Sequence, residues 1–391
     1  MKIVTSPRIF DILAFFIFFG ALTLLAIPVI SKIPSILAVV LCFLLFIRPV
    51  VNRSAFLFGV YAVAFLGLTL LLSFWRASFE LDKFVTLTIR WIMAFVLLAT
   101  AATASGRLAI FWAAVAALAC NVIAVLIGFD AWVEFGPQDQ MAGIPDEVLR
   151  KRPNGLIGNA NLLAIQSFIP LFLGYIYKIK VNNVIWIFIT IAALYCLIIT
   201  GSRKGLGLLF IAATLITYSS AVRRPILGVL FLMLTMVSIL LFQWFEIDVL
   251  GSAEVNNTNL FQRTSSVLSG EDTSIGDRVY LLMWGLGMIQ ESFLFGHGFD
   301  SFHLRNPLGL YSHNNFIEIL FSGGFALFIV YVSPYIRSVF PITGQRKYFD
   351  FYIIILGFLF LENSMVVYDS VWFLFCLHTF IHQRKLNGDF R

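Results

Sequence analysis

Apolar residues along this chain do not alternate with polar ones; they come in long blocks. Stretches of about 20 residues, almost entirely Phe, Leu, Ile, Val and Ala, recur from one end to the other, long enough to cross a bilayer core at about 1.5 Å of rise per residue. Twelve blocks can be delimited, at roughly 9–30, 33–47, 54–75, 84–104, 108–129, 155–177, 183–200, 205–221, 225–245, 314–336, 349–366 and 369–383. The predicted architecture is an all-α polytopic membrane protein with about 12 transmembrane helices, a single integral membrane domain over 1–391. Blocks two and eight are short, which predicts tilt or partial burial. The first block is too long for the core of a cleaved signal, and no small-residue cleavage pattern follows Pro28.

The polar connections sort by side. Those on the side of both termini hold 15 of the 27 basic residues, Arg48, Arg53, Arg223 and Arg224 among them, and three of the 21 acidic ones. By the positive-inside rule that side is cytoplasmic, so both termini lie inside. The outer side carries two long connections, 130–154 and 246–312. The second is the large outer loop, between spans nine and ten, and loops of this length are usually functional. Its middle, Asp277 to Glu291, reads as an amphipathic helix, with Tyr280 and Trp284 placed for the membrane interface.

Composition agrees. The chain is 60% hydrophobic and 12% charged, about half the charged fraction of a soluble domain. Its net charge of +6 is accounted for by cytoplasmic loops and calls for no nucleic acid. Cys42, Cys120, Cys196 and Cys376 each lie within an apolar block without metal-ligand spacing, so they read as small hydrophobes.

Three polar motifs fall on the outer side: Arg152-Pro-Asn-Gly-Leu-Ile-Gly-Asn-Ala-Asn161 entering span six, Gly201-Ser-Arg-Lys-Gly205 between spans seven and eight, and Tyr311-Ser-His-Asn-Asn-Phe-Ile-Glu318 entering span ten. Arg278 on the amphipathic helix is a fourth candidate. The arginine fork matches phosphate oxygens, so Arg152, Arg203 and Arg278 on one face suit a diphosphate, with Lys204 adding a point charge. Asn154, Asn159 and Asn161 offer amide contacts to sugar hydroxyls, and Asn314 is a further substrate-binding candidate. His313 suits a general base acting on an acceptor hydroxyl. Glu318, five positions on, falls off the face of His313 on a helix and reads as orienting a neighbour or binding sugar. Plainer readings stand beside these. A lone arginine at a helix end snorkels to headgroups, Gly201–Gly205 serves as a polar turn, and Asn314 caps span ten. His297 and His303 read as solvated loop residues. No acidic cluster in the outer loops suits Mg²⁺ or Mn²⁺, and no cofactor is expected.

Taken together and in order, Arg152-Pro-x-Gly155 with Asn159-x-Asn161, Gly201-Ser-Arg203, Ser292-Phe-Leu-Phe-Gly-x-Gly298, His313-Asn-Asn-Phe-x-Glu318 and Gly324 resemble the O-antigen ligase and polymerase superfamily. The resemblance covers about 150–324 in motifs and the whole chain in topology. One position departs: where the family pattern has a glycine three residues after Gly324, this chain has Leu327, a change that touches packing more than chemistry.

The resemblance implies a multi-pass protein of the bacterial inner membrane with its active face periplasmic, the long loop included. It implies transfer of a glycan from undecaprenyl diphosphate, to lipid A-core in a ligase or to another lipid-linked glycan in a polymerase, without a metal. Carried over, Arg152 and Arg203, with Arg278 as a third, bind the diphosphate, and His313 activates the acceptor or steadies the leaving group. Ligase is the first reading and polymerase the alternative. A transporter fits less well, because the charges lie at the outer ends of spans rather than near the midplane.

Overall fold

The computed structural model describes residues 7–23, 32–47, 53–76, 81–129, 155–157, 160–177, 179–200, 273–312 and 314–339. The regular elements among the described residues are helices. In chain order they are α1 (Pro7–Thr23), α2 (Lys32–Ile47), α3 (Arg53–Trp75), α4 (Leu81–Thr100), α5 (Ala104–Leu126), α6 (Ala160–Gln166), α7 (Ile169–Tyr177), α8 (Asn183–Thr200), α9 (Thr273–Glu291), α10 (Phe302–Arg305) and α11 (Asn315–Val339). Within α3, α4, α5 and α8 lie stretches long and apolar enough to cross a membrane. Phe43, Phe56, Val63, Trp75 and Phe188 are exposed on the outside of the bundle, the arrangement that lipid rather than water favours.

Helix α1 packs on α2 and α5, α2 on α4, and α3 on α4 and α11, while α5 also receives α7 and α8. Ala14 and Ala21 of α1 and Ala113, Ala114 and Ala117 of α5 are buried, so small residues let these two backbones approach closely. Hydroxyls inside the bundle are satisfied one turn back: Thr69 donates to the Phe65 carbonyl at 2.7 Å and Thr100 to that of Val96 at 2.9 Å. The tight turn from α4 to α5 is closed from both sides. Thr103 accepts from the Gly106 N–H at 2.9 Å, and Arg107 donates to the Ala101 and Ala102 carbonyls, each at 3.3 Å.

Sequence and structure agree on the seventh block, 183–200, which is α8. They differ on the sixth, expected as one span over 155–177. It is two helices, α6 and α7, separated at Ser167 and Phe168. Pro170 has no N–H to return to the preceding turn, so the helix cannot run through. Ser167 fills the gap by donating to the carbonyls of Ala164 at 2.7 Å and of Ala193, on α8, at 3.4 Å. The tenth block also fails to run straight, for a reason that belongs to the site. Blocks eight, nine, eleven and twelve, the part of the long loop before 273, and Cys376 lie outside the described residues.

Candidate functional site

At one end of the bundle, α9, the segment 292–312 and the first turns of α11 form a small cap with its own core of Leu281, Ile289, Phe302, Ile317 and Phe321. The helix predicted over Asp277–Glu291 is there, as α9. Trp284 packs on the rings of Phe302 and Phe321, at 5.3 and 5.5 Å. Tyr280 is on the exposed side of the same helix, with Val279 and Met283.

The cap is joined to the bundle through a break in α11. Gly324 has φ 62° and ψ −165°, outside any helix, which frees backbone groups on both sides. The segment 293–298 takes them up. The N–H groups of His297 and Gly298 donate to the carbonyls of Phe321 and Ser322, at 2.7 and 2.8 Å. The N–H groups of Phe325 and Ala326 donate to those of Phe293 and Leu294, at 2.7 and 3.2 Å. In hydrocarbon each such group left unpaired costs several kcal/mol. Gly296 (φ 66°) and Gly324 lie where the two backbones cross, and a Cβ on either would strike the other segment. The Ser292–Gly298 motif and Gly324 are thus one structural unit. Leu327, where the family pattern has glycine, is buried, and its side chain covers Gly323.

His297 and His303, expected to be solvated, are both buried. Arg305 Nη1, which can only donate, faces His297 Nδ1 at 3.2 Å, so Nε2 carries the proton toward the Met288 carbonyl at 2.8 Å. The ring lies on Phe321 at 4.6 Å. His297 therefore binds α9, α10 and α11 together. The sequence reading missed this because a histidine between two glycines looks like loop.

A polar cluster lies beneath the His313 motif. Asp300 and Glu318 are 3% and 1% exposed. Lys83, in the first turn of α4, forms an ion pair with Asp300. His303 Nδ1 is 3.8 Å from Asp300 Oδ1, and its ring packs on Tyr311 at 4.7 Å. Asp300 has φ 55°, a left-handed conformation that a non-glycine residue holds only when its surroundings fix it.

The backbone on both sides of position 313 is tied down. Glu318 Oε2 accepts from the Ser312 N–H at 3.2 Å. Ser312 Oγ donates to the Asn314 carbonyl at 2.9 Å and lies 3.2 Å from the Asn314 N–H, which donates to it. Asn314 Oδ1 accepts from the N–H groups of Phe316 and Ile317, at 3.0 and 3.3 Å, and so caps α11. Replacing Asn314 by alanine leaves those donors without their cap and should cost about 1 kcal/mol. A thermal-shift measurement on purified protein checks this, with Asn314→Ser expected to retain most of the stability.

Of the predicted site residues, the structure brings Asn314 and Glu318 together through Ser312. His313, Arg152, Arg203 and Lys204 lie outside the described residues. Asn161 and Arg278 are placed on α6 and α9 by their backbone, their side chains lying outside the description. The Gly155–Ile157 turn of the first motif is held by Asn121 of α5, whose Oδ1 accepts from the Leu156 N–H at 3.0 Å. Asn121 also donates to the Ala117 and Leu22 carbonyls, at 3.0 and 3.4 Å. A lone buried amide in an apolar helix was the available signal for it. Lys83, Asp300 and His303 gave none, since the ion pair joins distant parts of the chain. Among the described residues no group of three or more His, Cys, Asp or Glu side chains is arranged to hold a metal ion.

Residues 188–332 match a family model described as O-antigen ligase. The matched segment runs from within α8 to the lower part of α11, and contains Gly201–Gly205, the docked 292–298 segment and the His313 motif. It supports the superfamily that the motifs resemble, and leaves α1 to α7 outside. No curated protein matches the chain.

Proposed function

We propose that this chain, whose residues 188–332 carry the O-antigen ligase match, is a glycan ligase of the bacterial inner membrane. It transfers a glycan from undecaprenyl diphosphate to lipid A-core on the periplasmic face. In this reading the chain has about 12 spans with both termini cytoplasmic, and 246–312 is its large periplasmic loop. What supports it best is the framing of position 313 inside the matched segment, by a buried carboxylate on one side and a helix cap on the other. Backbone tied down on both flanks suits a residue whose orientation matters to the chemistry.

The proposed chemistry is a single displacement. The acceptor hydroxyl oxygen attacks the anomeric carbon, the bond from that carbon to the diphosphate oxygen breaks, and the configuration inverts. His313 takes the hydroxyl proton as general base. Arg152 and Arg203, with Arg278 and Lys204 nearby, hold the diphosphate and offset the charge it gains as it leaves. Asn161 contacts the sugar. Arginines do this without exchanging protons near neutral pH, and no metal or other cofactor enters the scheme.

The second reading is a polymerase of the same superfamily, whose acceptor is another lipid-linked glycan. The lipopolysaccharide pattern of a deletion strain separates the two. Lipid A-core bare of glycan, with long lipid-linked polymer accumulating, is the expected result. Single repeats still attached to core would make the chain a polymerase. An unchanged pattern with no lipid-linked glycan accumulating would remove both.

A further inference from the structure

The cap presents an apolar surface that its own core does not use. Residues 279–289 of α9 carry no charged or amide side chain. One face of that stretch is in the cap core, with Leu281 and Ile289 buried. The opposite face is apolar too: Val279, Tyr280, Met283 and Leu286 are exposed, Met283 at 64%. A helix that is apolar all round belongs in a protein interior or in a membrane, and a stretch this short lies within one leaflet rather than crossing. The chain then turns through Phe293, Leu294 and Phe295, which are 49%, 57% and 51% exposed. Consecutive half-exposed side chains of this size mark a surface made for a partner.

Where the turn lies identifies the partner. The carbonyls of Phe293 and Leu294 are docked on the N–H groups of Phe325 and Ala326, beside Gly324, about 13 Å of helix beyond Asn315. The Phe293 ring stacks on Phe325 at 5.3 Å, and Phe325 and Ile329 are themselves exposed on α11. On the other side Arg76 donates to Ser292 Oγ, which brings the end of α3 against the turn. The stretch of α3 before Arg76 is long and apolar enough to cross a membrane, and Leu71 and Trp75 in it are exposed. The apolar surface of the turn is therefore continuous with that of two bundle helices. Its backbone suits hydrocarbon as well. The carbonyls of Ser292, Phe293, Leu294 and Gly296 each accept a hydrogen bond, from Gly296 N–H, Phe325 N–H, Ala326 N–H and Ser292 Oγ. Irregular backbone at membrane depth needs its polar groups paired in this way, whereas water would satisfy them unaided.

We propose that α9 and the 293–295 turn form a lipid-embedded anchor, in which the outward face of α9 and the three turn side chains lie among the acyl chains of one leaflet. The anchor holds the cap, with Asn314 and Glu318 in it, against the bilayer. It goes beyond the glycan-transfer reading and stands whether or not that reading holds.

The test uses the unmodified full-length protein in nanodiscs of phosphatidylcholine, part of which bears a diazirine on its acyl chain. Light converts the diazirine to a carbene that inserts into whatever touches the chain, and mass spectrometry maps the adducts. Val63, exposed on α3, and Phe321, buried in the cap core, mark full and zero labelling. Adducts are expected on the outward face of α9 and on 293–295 at the level of Val63. Hydroxyl radicals generated in the water supply the opposite readout. Oxidation of Met283 should be about tenfold slower in nanodiscs than in the unfolded chain, because its side chain lies below the aqueous boundary. Rapid oxidation of Met283 with no lipid adducts on α9 or 293–295 would overturn the proposal and make this face a water-exposed one. Protection from both reagents would overturn it equally, since the surface would then be covered by another part of this chain or by a second copy.

Discussion

Replacing His313 by alanine should abolish glycan transfer while leaving the protein inserted and at normal abundance. A positioned general base typically contributes 10²- to 10⁴-fold in rate, so loss of the imidazole should lower kcat by about three orders of magnitude. Normal abundance follows from the bonds around the residue. The described bonds on either side of it come from the Ser312 backbone and hydroxyl, the Asn314 amide and the Glu318 carboxyl, and the substitution deletes none of these. The fall should appear in kcat with donor KM little changed, since the arginines assigned to the diphosphate remain. Undiminished surface glycan in this variant would end the catalytic assignment of His313.

The second large effect falls on folding. Alanine at Gly324 or at Gly296 should destabilise the protein by about 3 kcal/mol or more, because each adds a Cβ at positive φ and drives it into the opposing backbone. Neither segment can move aside without breaking the four backbone bonds that join them. The measurement is melting temperature and yield of the purified protein. Gly287→Ala is the control. That glycine lies on α9 with open space where its Cβ would go, so the change should be neutral or stabilising by up to about 1 kcal/mol. If Gly324→Ala matched the wild type in yield and melting temperature, the docked break would be wrong.

Some of this could be read from the sequence and some could not, for identifiable reasons. The apolar block 183–200 gives α8 because it has no interior proline and a polar residue, Asn182, at its start, whose Oδ1 accepts from the Val184 N–H. Block 155–177 contained its own warning in Pro170, outweighed by the apolarity around it. The break at Gly324 is harder to see. Gly323-Gly324 in a span is tolerated when helices pack closely, and only the partner segment reveals that one of the two leaves the helix. Asn314 as a cap and Glu318 as an orienting group were both legible, because capping chemistry is local. The ion pair of Lys83 with Asp300 was not. Nothing along the chain says that the first turn of α4 and the end of the 292–300 segment meet. The same holds for His297, whose partners come from three elements.

The docked segment also bears on how the chain is made. It precedes Gly324 in the sequence, so the carbonyls of Phe293 and Leu294 and the N–H groups of His297 and Gly298 leave the ribosome before the break that needs them. A helix with unsatisfied groups in its middle is a poor substrate for insertion, whereas one met at once by its partner inserts with its backbone already paired. The order of synthesis, N-terminal parts first, is therefore the order that this join requires.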